Sequence, residues 1–490
     1  LIIPPSPFLL DERVFMSLGI LRVAAVLEAT GHPVDVLDLS GIENYLEAIA
    51  DYCSSHPTEY FGLTATTPQM PNAYQIAKKI REKKPMCRLI IGGPHPTLVY
   101  AAAKRELRQK VTGRATKAMK ALQEIFCVII SGDGEEAILE AVSPWPRSQI
   151  LDADDPKSSL FLTNKKLNEL PFPARHLVDL SSYHYTIDGV PATSLICQLG
   201  CPFGCGFCGG RNSPMLRRVR MRTTANVVGE IRHLYTEYGI KGFMLYDDEL
   251  NVNPQILELM QAIAKLQEEL GESFKLRGFI KAQLFTEAQA QAMYRAGFRW
   301  ILTGFESGSP RILENIQKRA TREENTRCAQ IARDCGLKVK ALMSLGHPGE
   351  SQKTIAETRD WLLTTKPNDF DVTIITPYPG SPYFDEAVEE NGNWVYTYRG
   401  TGDKLYAKEV DYFHTADFYK GIEGEYRSYV WTDSLSPEML VRERDRLERD
   451  VRSELHIPYN VSSPAVRFEH SMGQGLPETI FKSSRQTIAA

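Results

Sequence analysis

At 490 residues the chain exceeds one ordinary domain, and two or three are expected. A hydrophobic share of 43% with 24% charged residues belongs to a globular protein able to bury a core; a net charge of −4 argues against a nucleic-acid binder and against attraction to anionic membranes. No apolar run approaches the ~20 residues of a membrane-spanning helix, and the opening Leu1-Ile2-Ile3 meets Pro4-Pro5 at once, so it reads as a first strand rather than a signal peptide.

From there strand and helix alternate. Residues 18–29 read as an amphipathic helix closed by Gly31, 34–37 and 60–63 as strands, 72–83 as a helix, 87–91 as a strand, 116–125 as a helix and 127–130 as a strand. This βαβ series predicts a doubly wound, Rossmann-like parallel sheet over 1–142, with a ligand site at the strands' carboxyl ends, where the turn signals 64–71, 92–95 and 132–135 lie. The basic stretch from Lys104 to Lys120 has apolar residues interleaved and reads as a solvated helix face. A polar, proline-containing stretch over 143–190 reads as a linker. Over 191–382 strands at 193–197, 242–246, 275–279, 300–304, 339–344 and 371–376 alternate with helices, six rather than eight, which predicts a partial (β/α)6 TIM-type barrel. Residues 383–490 are expected to be a mainly helical, aromatic cap region, with a helix starting at Ser436-Pro437 and a polar, extended tail of roughly 30 residues.

Nine cysteines are an odd number, and four fall between positions 197 and 208. A secreted disulfide protein spaces its cysteines through the fold, so the clustering points to a metal and a reducing, cytoplasmic setting. Cys53, Cys87, Cys127, Cys328 and Cys335 stand singly and read as packing residues. Cys201, Cys205 and Cys208 follow a strand, in a loop made compact by Gly200, Gly204, Gly206 and Gly209. Three thiolates hold three irons of a [4Fe–4S] cubane and leave the fourth open for a substrate. The alternative is a structural zinc site, with Cys197 as the fourth ligand.

The Cys-x3-Cys-x2-Cys spacing, with Phe207 before the last cysteine, resembles the signature of radical S-adenosylmethionine (SAM) enzymes, and the string from Leu199 to Cys208 resembles the version in their cobalamin-binding branch. Gly304-Phe-Glu-Ser-Gly308, Leu345-Gly-His-Pro-Gly-Glu350 and Pro377-Tyr-Pro-Gly-Ser381 resemble that branch's motifs on strands four, five and six. The resemblance implies that SAM chelates the open iron through its amino and carboxylate groups, and that an electron from the cluster breaks the sulfur–C5′ bond to give a 5′-deoxyadenosyl radical. By the same resemblance Phe207 packs on the adenine and Asp247 and Asp248 meet the amino group. Glu306 and Ser307 meet the ribose or methionine end, Gly346 lines the site, and Arg277 offers a cation to the carboxylate. Read plainly, Asp247-Asp248 is a strand-end turn.

Residues 18–25 and 31–38 resemble the opening of the branch's cobalamin-binding domain. The implied contacts are Gly19, Thr64, Thr66, Thr67, Gln69, Gly92, Gly93, His95, Gly132, Gly134 and Glu135. The Asp-x-His-x-x-Gly motif that supplies a histidine to cobalt is absent, so the resemblance implies base-off cobalamin without a protein imidazole on the metal. The implied activity is a cobalamin-dependent C-methyltransferase acting on an unactivated carbon; the alternative is a radical ring-forming, ring-contracting or carbon–carbon-coupling enzyme that transfers no methyl. A cluster-dependent sensor without turnover is disfavoured by the complete motif set, and a methylthiotransferase by the lack of a second three-cysteine set. The expected partners are a small-molecule, lipid or natural-product substrate and a reductant such as flavodoxin or ferredoxin.

Overall fold

The computed structural model describes residues 1–6, 13–418 and 426–458. Six strands, β1 (Ile2–Ile3), β2 (Leu37–Asp38), β3 (Tyr60–Thr64), β4 (Arg88–Gly92), β5 (Val128–Gly132) and β6 (Ile150–Ala153), form the first sheet in the order β2-β1-β3-β4-β5-β6, all parallel. Their apolar runs alternate between two cores. Phe61, Leu63, Leu89, Ile91 and Ile129 pack under helices 45–55, 70–83 and 114–125; Ile90, Val128, Ile130 and Leu151 pack under helices 18–29 and 134–141. Burial on both faces makes the strands read as continuous apolar runs, and the expected doubly wound sheet is the result.

Three details differ from the expectation. The sixth strand comes from the stretch read as linker, because Ile150–Ala153 pairs with β5. Helices Tyr45–Ser55 and Pro94–Arg108 are additional. The basic stretch spans two helices, Pro94–Arg108 and Arg114–Ile125, and Lys104 is not solvated: its ammonium lies 3.0 Å from Asp152 and 2.9 Å from Asp154.

The second sheet begins with β7 (Thr186–Ile187), antiparallel to β8 (Val190–Leu195). A short ribbon of β9 (Gln198–Leu199) and β10 (Arg220–Met221) brackets the cysteine loop. Then β11 (Gly242–Leu245), β12 (Lys275–Phe279), β13 (Phe298–Glu306), β14 (Lys338–Leu345) and β15 (Asp369–Ile374) continue the sheet in the order β15-β14-β13-β12-β11-β8-β7. Six of these strands are parallel, as the partial barrel requires. Alternation sends Phe243, Leu276, Ile301 and Phe305 out to the helices and Met244, Phe279, Leu302 and Leu342 into the lumen, where Val14 and Phe15 of the first domain join them.

The described part of the C-terminal region adds a small sheet to the expected helix. Strands β16 (Val388–Glu390), β17 (Asn393–Thr397), β18 (Lys404–Ala407) and β19 (Val430–Trp431) form an antiparallel sheet before the helix Pro437–Glu454. That helix starts where Ser436-Pro437 predicts, the Ser436 hydroxyl accepting the Met439 N–H. Its buried Arg444, Leu447, Glu448, Val451 and Arg452 pack along β15, Arg444 donating to Val372 O at 2.9 Å and Arg452 reaching Asp369 at 3.0 Å. The expected polar tail lies outside the described residues beyond 458. No described helix is long and apolar enough to cross a membrane.

Candidate active site

The cysteine loop hangs from a buried frame. Asp247, just past β11, accepts the backbone N–H groups of Cys197 at 2.9 Å and Gln198 at 2.5 Å. Arg175 donates to Ser194 O at 2.8 Å and Arg222 to Ile196 O at 2.7 Å, and the two guanidinium groups share the buried Glu230. The chain enters the loop through Gly200, at φ 87°, where a Cβ would lie 2.4 Å from the Arg218 carbonyl oxygen. Cys201 N–H then donates to Leu216 O, and Gly206 N–H to Ile316 O, each at 2.8 Å.

Burial raises all three thiols, Cys201 to about 11 and Cys208 to about 12, with Cys205 also raised. Each thiol is within electrostatic range of another of the set. Cys197 is apart from them: it is fully buried in the core with Val227 and Ile231. A four-cysteine zinc site is therefore not assembled.

Four charged side chains face this loop, Glu306 of the motif reading and three that it missed. Glu249, Lys281, Lys318 and Glu306 all act electrostatically on Cys205, and Lys281 Nζ lies 4.2 Å from the centre of the Phe203 ring. A bulge between Gly304 and Glu306, with Glu306 at φ 66°, swings the Glu306 carboxylate inward although Phe305 points to the core. Glu306 receives Lys318 Nζ at 2.8 Å and the Ser344 hydroxyl at 2.7 Å. A side chain at Gly304 would intrude on this pair, since its Cβ would lie 2.7 Å from Lys318 Nζ. Burial opposes both charges, but the pairing outweighs it: Glu306 is held below its ordinary value and Lys318 well above. Burial pushes Glu249 up to about 7. His347, lowered to about 4 by burial, is a neutral ring between Ser344 at 2.8 Å and the Tyr383 hydroxyl at 3.3 Å. Adjacency to Asp248 was the available signal for Glu249; Lys318 arrives from a loop after β13 and carried none.

The residues assigned to SAM by resemblance divide. Phe207 lies against Ile312, Leu313 and Ile316, its ring 5.4 Å from that of His347, at the mouth. Asp248 accepts the Gly200 N–H. Asp247 is mainly a clamp on the backbone, but its second carboxylate oxygen is buried without a hydrogen-bond partner, and burial raises it to about 7. Gly346, at φ 86°, donates to Glu350 at 3.3 Å beneath Val430. Two placements correct the expectation. Ser307 turns away from the mouth to bond Thr358 at 2.9 Å. Arg277 lies one inward layer below Phe279 and two below Lys281, stacked over Trp300 at 5.2 Å and facing Tyr185, Asp369 and Asp371, too deep to meet a ligand at the mouth.

In the first domain, Gln69 accepts from both the Thr66 N–H and hydroxyl at 3.0 Å, and donates to Pro4 O at 2.8 Å, so this pair shapes the turn after β3. Gly93, at φ 96°, brings the next turn against Thr64, where a Cβ would lie 2.6 Å from the hydroxyl. Gly92, before it at the end of β4, packs on Ile130. His95 is buried and neutral, lowered to about 3 by burial; Nδ1 meets the Thr67 hydroxyl at 3.1 Å, and Nε2 has no partner. The remaining expected contacts serve other ends. Gly19 lies exposed on the first helix, Gly132 donates to the Thr97 hydroxyl at 2.9 Å, and Gly134 abuts Val23. Glu135 pairs with Arg22 at 3.7 Å.

The two domains meet through the segments that follow the strands' carboxyl ends. Asp133, after β5, pairs with buried Arg220. Asp154, after β6, accepts the Ser213 hydroxyl at 2.5 Å and the Met215 N–H at 3.1 Å. Leu98, in the helix after β4, packs on Gly209, directly behind Cys208. The first sheet thus directs its ligand end at the cysteine loop.

Three loop thiols within electrostatic range of one another, facing a mixed set of cations and carboxylates, fit a cluster and the zwitterionic end of SAM. The orphaned His95 Nε2 among tight glycine turns fits a large ligand in the first domain. Comparisons agree with this division. The model of the radical SAM superfamily matches residues 195–362, and that of the B12 binding domain matches residues 12–123. An uncharacterized methyltransferase of Pyrococcus horikoshii is 25% identical over 407 residues, covering 80% of this chain and 83% of that protein. The anaerobic magnesium-protoporphyrin IX monomethyl ester cyclase of Rubrivivax gelatinosus is 23% identical, over 74% of this chain and 65% of its own length. In fold, the chain is similar to a radical SAM methyltransferase of Kitasatospora setae solved with cobalamin and a [4Fe–4S] cluster, with a TM-score of 0.66 at 16% identity over 91% of this chain and 90% of that one.

Proposed function

Because the chain belongs to the radical SAM superfamily and carries a B12-binding domain ahead of its barrel, we propose that it is a cobalamin-dependent radical SAM methyltransferase acting on an unactivated carbon of a small molecule, lipid or natural product. The observation that carries this reading is the docking of Leu98, Asp133 and Asp154 onto the segment behind the cysteine loop, which sets both ligand ends at one interface. Bound there, the cluster would supply the electron that cleaves SAM, and cobalamin a transferable methyl group.

The chain's own residues do the positioning. Cys201, Cys205 and Cys208 hold three irons, and Gly200 lets the loop turn tightly enough to present them. Lys318, kept charged by Glu306, and Lys281 offer cations to the SAM carboxylate; Glu249 and the free oxygen of Asp247 offer acceptors to its amino group. Phe207 offers a ring face to the adenine. Thr67 holds the His95 ring by Nδ1, leaving Nε2 for a hydrogen bond to the cofactor in the turns after β3 and β4.

The test is anaerobic reconstitution with SAM, reductant and candidate substrates, read by product mass. A gain of one methylene unit with formation of 5′-deoxyadenosine supports the reading; a loss of two hydrogens supports instead the non-methylating alternative, which the similarity to the cyclase favours. EPR of the cob(II)alamin form should show no nitrogen superhyperfine splitting. A nitrogen triplet that disappears in His95→Ala would show that His95 ligates cobalt.

A further inference from the structure

The cysteine loop leans on residues 213–220. Leu199 lies opposite Arg220 in the β9–β10 ribbon, the Arg218 carbonyl oxygen presses on Gly200, and the Leu216 carbonyl oxygen accepts the Cys201 N–H at 2.8 Å. At the far end of the loop a Cβ on Gly210 would lie 3.1 Å from the Leu216 side chain and 3.7 Å from the Cys208 Sγ. This segment is fastened in turn to the first domain. Asp154 holds its start through Ser213 and Met215. At its other end the Arg220 guanidinium, 2% exposed, pairs with Asp133, donates to Leu162 O at 3.3 Å and lies 5.2 Å from the Phe161 ring. Asp133 stands between Gly132 and Gly134, in the turn where the first sheet presents its ligand end. Arg220 also acts on a second carboxylate, on the barrel side. Burial raises Asp248; the hydrogen bond it accepts from the Gly200 N–H and the charge of Arg220 both oppose that rise. One buried cation therefore serves an aspartate from each domain.

We infer that Arg220 is a positioning residue for the cluster site: Asp133 of the first domain orients its guanidinium, and the guanidinium holds Asp248 and, through it, the Gly200 turn by which the chain enters the cysteine loop. The inference rests on the cluster reading above and adds a role for the first domain, which shapes its neighbour's site besides binding a ligand of its own. Arginine suits the task because its planar, permanently charged fork keeps several partners in fixed directions at once, whereas an ammonium keeps the charge alone.

The test uses the reconstituted full chain without substrate and follows, by EPR, how added SAM shifts the signal of the reduced cluster, which gives a Kd for SAM. Arg220→Met should weaken SAM binding about tenfold or more, the range of a lost partner behind a metal site. Arg220→Lys should recover most of it, to within about threefold of the wild type. Asp133→Leu, a change in the other domain, should weaken binding in the same direction. Either single change leaves a buried charge without its partner, so the decisive variant is Arg220→Met/Asp133→Leu, in which the contact becomes apolar and the fold is kept. It should melt near the wild-type temperature, bind iron in full, and still lose about tenfold in SAM affinity, no more than Arg220→Met alone, because the two residues act as one unit. Wild-type SAM affinity in that folded double variant overturns the proposal, since Arg220 would then only join the domains. So does a loss equal to the sum of the two single losses. A wild-type EPR signal that SAM does not move sinks the cluster reading itself, before any variant is compared.

Discussion

At its amino-terminal end the barrel buries Lys340, Asp369, Asp371, Glu448 and Arg452; at its carboxyl end it buries Glu306, Lys318, Lys281, Glu249 and Glu350. In the lower set each cation has buried carboxylates beside it. Lys340 sits 2.8 Å from Asp369 and 2.7 Å from Asp371, and Arg452 of the last helix reaches Asp369 at 3.0 Å and Glu448 at 3.1 Å. Burial opposes the charge on Asp369, yet Lys340 and Arg452 hold it below the ordinary carboxylate range. In the upper set Glu306 and Lys318 form an ion pair, while burial leaves Glu249, Glu350 and Asp247 each near 7, and one Asp247 oxygen has no hydrogen-bond partner. A buried network that is complete gives stability; one that lacks a partner marks where a ligand completes it.

The comparison breaks most visibly at the thiols. Replacing Cys201, Cys205 and Cys208 together by Ala should abolish the visible iron–sulfur absorbance and all 5′-deoxyadenosine formation; residual cluster would reveal another ligand set. At the lower end, Lys340→Met should leave cluster chemistry intact in the folded fraction but destabilise the chain by about 3 kcal/mol, because Asp369 and Asp371 lose one of the two buried cations beside them. Chemical denaturation, beside iron content per folded protein, measures both.

Opposite pH slopes should separate the two ends further. Asp369, depressed in the folded state, contributes stability that is present above its unfolded value near 3.8 and lost as pH falls through its lower folded value. Glu350, raised by burial from 4.5 to about 7, does the reverse: its penalty is absent below 4.5 and complete above 7. Melting temperatures should therefore show Glu350→Gln gaining on the wild type as pH rises between those values, by up to about 3 kcal/mol. Asp369→Asn should be worse than the wild type above about pH 4, with the gap narrowing in acid. Matching slopes for the two variants would erase the distinction. The smallest effect belongs to Cys197→Ala, which should leave the cluster assembled and cost about 1 kcal/mol of packing. Loss of the cluster there would show that the ligand assignment is wrong.

Much of this arrangement was legible before any coordinates. The three-cysteine loop declares itself by spacing, and the turns after β3 and β4 by glycine and threonine at strand ends. Height within a barrel is not legible: Arg277 and Lys281 both point inward from one strand-and-turn segment, and only the layer each occupies decides which meets a ligand. Nor does a local pattern show Ser307 turning to Thr358, or Lys318 returning from the loop after β13. The sheet β16–β19 escaped because its strands are two to five residues long and joined by polar turns, too short for period-two alternation to stand out.

Val14 and Phe15 belong to the first domain yet pack in the lumen of the second, and the edge strand β15 of that barrel is covered by the helix Pro437–Glu454. The ribosome makes the plug first and the cover last. At about 5–20 residues per second, the aromatic plug waits some tens of seconds, on the order of 20–80 s, for its socket to be finished. During synthesis the completed first sheet therefore carries an unsheltered Phe15, and the half-made barrel an unroofed Lys340. A chain split between its two domains would leave each half with that defect permanently: expression of the isolated barrel should yield aggregates that co-expression of the missing segment relieves.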